Sequence, residues 1–534
     1  MTAHRHHRRT ARARLWPHAL ALAMAQAVAG GAFAQHADAQ TGRRIYLEGR
    51  SDAAPITARR AGGLATQGAE AACANCHRRS ALGGAEGRSY VPPIDAPSLF
   101  SATAPGTGAA AAGLGRAAYT EASLRRALSD GVDPSGRVLD YLMPRYDLDA
   151  GQIAALIAHL REMSTGPVAG IDAQGIHLAT VVAGDPGAPR RRVALDTLRA
   201  CVAEHNAGPA PEARRKRLGP QIHRAVPNAW TLHVWELHGP AATWDAQLQA
   251  HAQREPVFAM LGGLPGTASD ADWAPVHAFC ERTALPCLYP AVAAPPSSDA
   301  GLYALYASGG VRLEAALMAQ RLRGEASRRV TQWLRADDAA ARIGAQALRD
   351  ALADFQVDER YVERDDPRDT AGTPVLWLRS DDLQRVGAPA ATATVYLSAS
   401  MLEHHLDSVP AGLKVQAIIA TPHDLPQHLG ARTAQLKAWL AKQGVALEDE
   451  ALQADLYMAC NALEHGMNEV VQRPSADYLM ERLEALTERR GFAGLYPRLS
   501  LGSGQRVASK TGYLVRFAGP DAQQLEALGD ASAP

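Results

Sequence analysis

The 534-residue sequence has few cysteines, few aromatic residues and no excess of either charge. It contains six cysteines, 5% aromatic residues, and 55 basic against 55 acidic residues. Six cysteines in so long a chain exclude a disulfide-dense scaffold. The balanced charge excludes an extended basic surface for nucleic acid. No Gly-x-Ser-x-Gly, phosphate-loop or zinc-hydrolase pattern occurs, so binding or electron transfer is favoured over stand-alone enzymatic catalysis.

The first 34 residues have the pattern of an export signal. A basic stretch, HRHHRRTARAR, precedes an apolar one, LWPHALALAMAQAVAGG, and AFAQ then predicts cleavage after Ala34, with Ala39 as the alternative. The apolar stretch is too short and too interrupted for a membrane anchor, and no later run of about 20 apolar residues exists. Removal of five arginines and no acid changes the balance to 50 − 55 = −5. We expect a mildly acidic periplasmic protein without a transmembrane segment and without affinity for nucleic acid.

The stretch AACANCHRRSALGG places Cys73 and Cys76 three residues apart, with His77 directly after them. This is the attachment pattern of c-type haem, in which two thiols join the porphyrin and the histidine binds iron. A redox dithiol, half of a zinc site and chance are the alternatives. A zinc site needs a second ligand pair, and no second pair of useful spacing follows in the sequence. A thioredoxin-type motif follows a strand, but nothing strand-like precedes Cys73, and a free dithiol would oxidise in an exported protein. Covalent haem is therefore favoured.

A second iron ligand is predicted near residue 143. Met143 is followed by Pro144, which fixes the turn and keeps the thioether out of the next helix. Met163 is the competing methionine, but it lies in the last helical turn and is expected to pack in the core. Read alone, Met143 would also be a core residue, and the nearby haem motif favours the ligand role.

Two helices are predicted to enclose this region. Asp149 and Gln152 form a capping pair that begins the later helix. Ile45 and Tyr46 mark an earlier helix expected to cross it. The apolar face of the later helix has a spacing of 3.6 residues and consists of Ile153, Leu156, Ile157 and Leu160.

Residues 40–165 resemble the class I cytochrome c domain. The matching parts are the first helix with Gly42, the CANCH motif, YVPPIDAPSLF, LSDGVDPSGR, and MPRY before the closing helix. The resemblance implies a small all-α domain with one covalent haem c. It also implies a six-coordinate iron, which carries electrons to or from a periplasmic redox partner such as a quinoprotein dehydrogenase or a terminal oxidase. The implied roles are thioether attachment at Cys73 and Cys76, axial ligation by His77 and Met143, and pocket lining by Pro92 and Pro93.

The sequence changes character after residue 165. STGPVAGIDAQG is rich in small and turn-forming residues and predicts a linker over residues 166–175. Short apolar strands then alternate with helical stretches, from HLATVVA through WTLHVWEL and PVFAMLGG to KVQAIIAT. This alternation predicts parallel sheets with right-handed crossovers, and the length predicts two such sheets.

Residues 176–518 resemble the type 1 periplasmic binding proteins, the substrate-binding components related to branched-chain amino-acid ABC transporters. The matching stretches include VHAFCERTALPCLYP, YALYASGGVRLEAALMAQRL, LYMACNALEHGMNEVV and YPRLSLGSGQRVASKTGYLVRF. The resemblance implies two α/β lobes that close on an unidentified small molecule. Lobe one is expected over residues 176–307 and about 423–485. Lobe two is expected over 308–422 plus the final strands, followed by a tail over 519–534.

Ligands of open α/β sheets lie beyond the carboxyl ends of the strands. Arg190 to Arg192 could attract an anion near a helix N-terminus. The first loop, AGDPGAPRRR, lacks the Ser/Thr-rich pattern of amino-acid receptors. Each polar residue at a strand end has a helix cap or a turn as its alternative role. The cleft candidates are Asp185, Thr267, Ser269, Tyr303, Ser308, Asp337, Asp381 and Ser398.

The other four cysteines belong to the second region. Cys280 and Cys287 flank a helix-to-strand turn and are expected to form a disulfide in an oxidising compartment. Cys201 and Cys460 lie on apolar helix faces, as buried thiols or as a long-range pair.

The sequence is compatible with three functions. The first is a periplasmic one-electron carrier with attached ligand-binding lobes. The second is a receptor of an ABC-type transport or sensing system whose haem is regulatory. The third, an oxidoreductase that holds substrate beside the haem, is disfavoured because a six-coordinate iron has no open position.

Overall fold

The structure of the protein is a computed structural model. The chain divides into two compact units, Met1–Gly166 and Pro167–Pro534. The predicted signal sequence lies outside the described residues. The structure describes residues 39–52, 54–86, 89–103, 115–208, 229–266, 272–296, 301–365, 371–386, 394–490, 492, 494–502, 504–519 and 524–534.

The first unit combines helices with very short strands. Its helices are α1 (39–48), α2 (Ala74–His77), α3 (Ala96–Leu99), α4 (Glu121–Ser129) and α5 (Ala150–Glu162). Its strands are β1 (Thr57–Arg59), β2 (Ala65–Gln67), β3 (Gly84–Glu86), β4 (Ser89–Val91) and β5 (Arg145–Asp147). The sheet order β2-β1-β5 is antiparallel, and β3 pairs with β4. The expectation of an all-α domain is therefore wrong, because strand β1 pairs with a neighbouring strand along each of its edges. The central residue of β1, Ala58, is buried and its two neighbours are exposed, as in a strand with one face on the core.

Helices α1 and α5 cross at very close range. A Cβ atom at Gly42 would lie 1.9 Å from the carbonyl oxygen of Ala155. Ile45 and Tyr46 are fully buried against the apolar face of α5. The Asp149–Gln152 capping box forms in both directions, as the sequence predicts. Only glycine at position 42 permits this crossing.

Gly42→Ala is expected to destabilise the first unit by about 1–3 kcal/mol, because the new methyl group overlaps backbone atoms of α5. Faster hydrogen exchange of the α1 and α5 amides would show this. Gly151→Ala is the matched control, because its Cβ would meet only Asp149 Oδ1, at 3.4 Å. Apart from Trp16, every tryptophan lies in the second unit, so the tryptophan-fluorescence transition should not change. Equal exchange in both variants would contradict the assigned crossing.

The second unit contains two seven-stranded sheets. In the first sheet the order is β17-β11-β10-β8-β6-β7, with β9 paired to β6, and all its pairs are parallel. Its strands are β6 (Ile176–Ala183), β7 (Trp230–Leu237), β8 (Ala259–Leu261), β9 (Leu264–Pro265), β10 (Cys287–Leu288), β11 (Ala304–Ser308) and β17 (Val507–Ser509).

The second sheet has the order β13-β12-β14-β15-β16-β18-β19. Five strands are parallel, and the last two pair antiparallel at one edge. These strands are β12 (Arg329–Leu334), β13 (Gln356–Tyr361), β14 (Thr373–Trp377), β15 (Val395–Ser398), β16 (Ala417–Thr421), β18 (Tyr513–Ala518) and β19 (Gln524–Ala527).

Helices cover the sheets, and their buried faces form the cores of two lobes. The described helices of this unit are α6 (Ala188–Ala207), α7 (Trp244–Arg254), α8 (Ala274–Thr283), α9 (Val311–Leu322), α10 (Ala339–Ala351), α11 (Ser380–Val386), α12 (Ala411–Lys414), α13 (Pro426–Gln443), α14 (Glu450–Val470) and α15 (Ala476–Arg490). None of the helices in the described ranges is both long and apolar enough to cross a bilayer.

Three expected boundaries need correction. Strand β17 pairs with β11, so lobe one extends past residue 485 and one of the final strands belongs to it. The expected tail over 519–534 contains β19, which completes the sheet of lobe two. The expected linker belongs largely to the second unit, because Ile171 pairs with Ile176 and packs on the core of lobe one. Local composition indicated turns but did not reveal these long-range pairings.

Candidate functional site

The CANCH motif forms one tight turn that is held from both sides. Helix α2 follows Cys73, and the His77 amide donates to the Cys73 carbonyl oxygen at 2.9 Å. Arg78 ends the turn with φ 62°, a left-handed conformation rare outside glycine. The Tyr46 hydroxyl donates to the Arg78 carbonyl oxygen at 2.6 Å, which ties the motif to α1.

His77 is buried, and one of its ring nitrogens is hydrogen-bonded to a backbone carbonyl. Its Nδ1 lies 3.0 Å from the carbonyl oxygen of Pro92, an acceptor that fixes the proton on Nδ1. The lone pair is then on Nε2. Burial lowers the pKa of His77 to about 4, against the opposing effect of the Pro92 hydrogen bond. This is the arrangement that orients an iron-binding histidine through a backbone carbonyl.

His77 and Met143 line the same cavity as both cysteines of the motif. Counted to its open mouth, the cavity has an empty volume of about 1220 Å³. Its walls are mainly apolar, with Leu99, Leu128 and Leu156 among them. The donor set and the apolar walls fit a haem with histidine and methionine as axial ligands.

The alternatives for the cysteine pair fit less well. Burial raises the pKa of Cys73 to about 11, whereas a redox-active thiol needs a lowered pKa. No group of three or more His, Cys, Asp or Glu residues suited to a metal ion occurs within the described ranges. Cys76 is exposed, and neither motif cysteine is in a disulfide. The other four cysteines are paired, Cys201 with Cys460 and Cys280 with Cys287.

The neighbouring prolines and methionines have different positions. Pro92 lines the cavity and accepts from His77, but Pro93 is not among the lining residues. Met163 lies at the C-cap of α5 and packs against the core, while Met143 faces the cavity.

A second site lies in the cleft between the two lobes of the second unit. Lobe one contributes the loops after β9 and β10 and the last residues of β11, and lobe two contributes the loops after β14 and β15. Every one of these loops follows the carboxyl end of a strand, the usual place for a ligand in α/β sheets. The cleft has an empty volume of about 790 Å³, counted to its mouth.

The polar side of the cleft is charged. Arg190 from lobe one lies 2.8 Å from Glu403 of lobe two. Arg379 of lobe two contacts the other oxygen of the Glu403 carboxylate at 3.5 Å. Asp455 lies deeper and accepts from the Tyr496 hydroxyl at 2.9 Å. Burial raises the pKa of Asp455 to about 7, and the charge of Asp449 adds to this effect.

Of the six predicted cleft residues that the structure describes, one lines this cleft, Ser308. Asp185 is exposed and accepts from the Gly187 amide, and Asp337 is exposed and pairs with Arg335. Tyr303 is buried and donates to Asp477, away from the cleft. Asp381 is exposed in the first turn of α11. Ser398 is buried and donates to Glu314. Thr267 and Ser269 lie outside the described residues.

The sequence pattern missed most residues of the cleft. The sequence predicts an anion contact by Arg190 to Arg192, and of these three arginines Arg190 lines the cleft. Arg379, Glu403 and His404 follow strand ends by two to six residues and are not among the positions that the pattern selected. Glu403 and His404 have φ values of 51° and 65°, and such backbone conformations in non-glycine residues often mark functional sites.

Glu314 on α9 positions the loop that carries Glu403. Its carboxylate is fully buried and accepts from the Ser400 amide and hydroxyl, each at 2.9 Å, and from the Ser398 hydroxyl. Burial raises the pKa of Glu314 to about 7, although these hydrogen bonds act in the opposite direction.

The stability of the second unit is therefore expected to fall as pH rises from about 4.5 to about 7. In this range the Glu314 carboxyl is ionised in the unfolded state but is still protonated in the native state, so rising pH favours unfolding. The contribution of Glu314 is on the order of 3 kcal/mol. Guanidinium unfolding followed by tryptophan fluorescence at about pH 5 and about pH 8 measures this difference. Glu314→Gln should reduce the pH dependence, while the exposed control Glu526→Gln should not. An unchanged pH dependence in Glu314→Gln would contradict the assignment.

The fold has counterparts among solved structures. A substrate-binding protein of an ABC transporter from Aeropyrum pernix matches with a TM-score of 0.51 and 14% identity, over 68% of this chain and 97% of that one. A substrate-binding periplasmic protein from Ralstonia solanacearum matches with a TM-score of 0.48 and 13% identity, over 66% and 99%. No protein-family profile and no curated protein matches the chain. The expected two-lobed α/β fold is thus confirmed for the second unit, in a form similar to that of the substrate-binding protein from Aeropyrum pernix.

Proposed function

We propose that this protein is an exported solute-binding receptor whose N-terminal unit carries one covalently bound haem c. The observation that carries the receptor function is the cleft, where loops from the carboxyl ends of strands in both lobes converge. The fold supports it, because two hinged lobes of this kind close around small molecules. A periplasmic location agrees with the predicted signal sequence and with the two disulfides.

Ligand binding tests the receptor function. Titration calorimetry of the mature full-length protein against small periplasmic solutes is expected to find at least one that binds with a one-to-one stoichiometry. Tyr496→Phe removes the hydroxyl that donates to Asp455 at the cleft wall and is expected to weaken that binding. Asp185→Asn, at an exposed position outside the cleft, is the control. Binding that is insensitive to cleft variants would contradict the assignment of the cleft.

One-electron transfer is the second candidate function, and one observation favours it. His77 and Met143 line one cavity together with Cys73 and Cys76, so each residue type needed for a six-coordinate haem c is present. A haem so ligated supplies reversible one-electron transfer and has no open iron position. In this role His77 keeps its proton on Nδ1, and the apolar walls exclude water.

Redox titration tests the second function. The mature protein is expected to titrate as a single one-electron centre and to exchange electrons with a periplasmic partner, such as a quinoprotein dehydrogenase or a terminal oxidase. A protein that binds its solute but shows no redox transition would leave only the receptor function. A membrane permease is the corresponding partner of the receptor.

A further inference from the structure

We propose that the cleft binds a small carboxylic acid whose carboxylate takes the place of Glu403 between Arg190 and Arg379. This inference rests on the proposed receptor function and names the class of its ligand. It comes from the contacts of the three side chains, which already form a carboxylate site occupied by a residue of the protein itself.

The Glu403 carboxylate is shared between arginines of opposite lobes. Its Oε2 accepts from Arg190 Nη1 at 2.8 Å, and its Oε1 lies 3.5 Å from Arg379 Nη1. Both guanidinium groups are mostly buried, with side-chain exposures of 19% and 18%. Guanidinium groups match the planar geometry of carboxylates, so a ligand carboxylate in this position would meet the same two donors.

Each arginine also has a second carboxylate that is fixed in place. Arg190 contacts Asp449 at 3.1 Å, and Arg379 donates to Asp338 at 2.7 Å. Asp449 is the N-cap of α14 and Asp338 is the N-cap of α10, and both accept backbone amides there. These two carboxylates hold the guanidinium groups in position but cannot leave without uncapping a helix.

Glu403 differs from both aspartates in being displaceable. Its side chain is 30% exposed, against 11% for Asp449 and 1% for Asp338. Its carboxylate contacts the two arginines and, within the described residues, accepts no backbone amide at a helix N-terminus. Its backbone lies in the left-handed region, with a φ of 51° that is unusual in a non-glycine residue. Release of the side chain toward solvent therefore leaves both arginines held and available.

Apolar side chains also line the cleft and bear on what else the ligand carries. They are those of Pro265, Pro290, Val292 and Ala307. His404 also lines the cleft, and its buried Nδ1 atom has no hydrogen-bond partner within the described residues. A carboxylate on a short apolar body thus matches the cleft.

Titration calorimetry with the mature full-length protein tests the proposal. The probes are short monocarboxylates from acetate to 4-methylvalerate, with their primary amides and the corresponding primary amines as matched compounds. At least one carboxylate is expected to bind, and its amide and amine at least tenfold more weakly. Arg379→Gln should weaken the binding of that carboxylate by tenfold or more. Arg379→Lys should restore it only in part, because lysine keeps the charge but lacks the planar pair of N–H donors of a guanidinium group.

Glu403→Gln is the decisive variant, because it removes the competing carboxylate. It is expected to strengthen carboxylate binding severalfold, whereas a ligand amine bound by Glu403 would be weakened. Arg385→Gln, which is 75% exposed on α11, is the control and should leave binding unchanged. Circular dichroism of each variant confirms folding.

The outcomes separate this proposal from the receptor function. Preferential binding of amines or amides, or weaker carboxylate binding in Glu403→Gln, would overturn the carboxylate site and leave a receptor for another class of ligand. Failure of every probe and of all other periplasmic solutes to bind would overturn the receptor function and this proposal together.

Discussion

Replacement of Cys73 and Cys76 by alanine is expected to abolish covalent haem in the exported protein. Each thiol is assigned one thioether bond to the porphyrin, so the double variant has no point of attachment. Haem staining after denaturing electrophoresis measures the loss directly. Single variants should keep one bond and a reduced amount of stain.

The control for this experiment lies inside the motif. Asn75→Ala removes a side chain that donates to the Ala69 carbonyl oxygen but leaves both thiols and His77 in place, so it should retain the stain. Equal staining of the double cysteine variant and the parent would contradict the assignment of the motif. Loss of staining in Asn75→Ala alone would point to a folding defect around α2.

Met143→Leu is expected to lower the reduction potential by on the order of hundreds of millivolts, because axial ligands set haem potentials over a range of about 0.8 V. Leucine has nearly the volume of methionine, so packing against the core should change by less than about 1.5 kcal/mol. The visible spectrum of the variant should also lose the weak long-wavelength band of methionine-ligated ferric haem.

Met163→Leu provides the matched control. Both methionines pack on the same core, but Met163 caps α5 and does not line the cavity. Its substitution should leave the potential and the spectrum unchanged. A shift in Met163→Leu without one in Met143→Leu would assign the axial role to the other methionine.

The sequence predicted local features well where neighbouring residues determine them. The capping box at Asp149, the buried face of α5 and the Cys280–Cys287 pair depend on residues close together in the chain. The alternation of apolar strands with helices predicted two parallel sheets, because burial on both faces leaves continuous apolar runs. The position of Gly42 opposite Ala155 explains why the first helix has a glycine there.

The cleft could not be predicted in the same way. Arg190, Arg379 and Glu403 meet across two lobes, and their separation along the chain hides the contact. Candidates taken at the strand ends instead proved to be turn or core residues, such as Asp185 and Ser398. Strand β17 returns to lobe one from far along the chain, a pairing that local patterning does not encode. The CANCH motif could be recognised in the sequence because its residues follow a fixed short spacing, and the haem that it implies stays a prediction.

The intact mass of the exported, purified protein is the most direct measure of whether the first unit carries haem. We expect the mass of the polypeptide that begins at Gln35, with one covalently bound haem and with four hydrogens lost to the two disulfides. The same sample should have an absorption spectrum with a sharp band in the reduced state. A mass equal to the polypeptide alone, in protein whose signal sequence has been removed, would contradict the assignment of a haem-bearing unit.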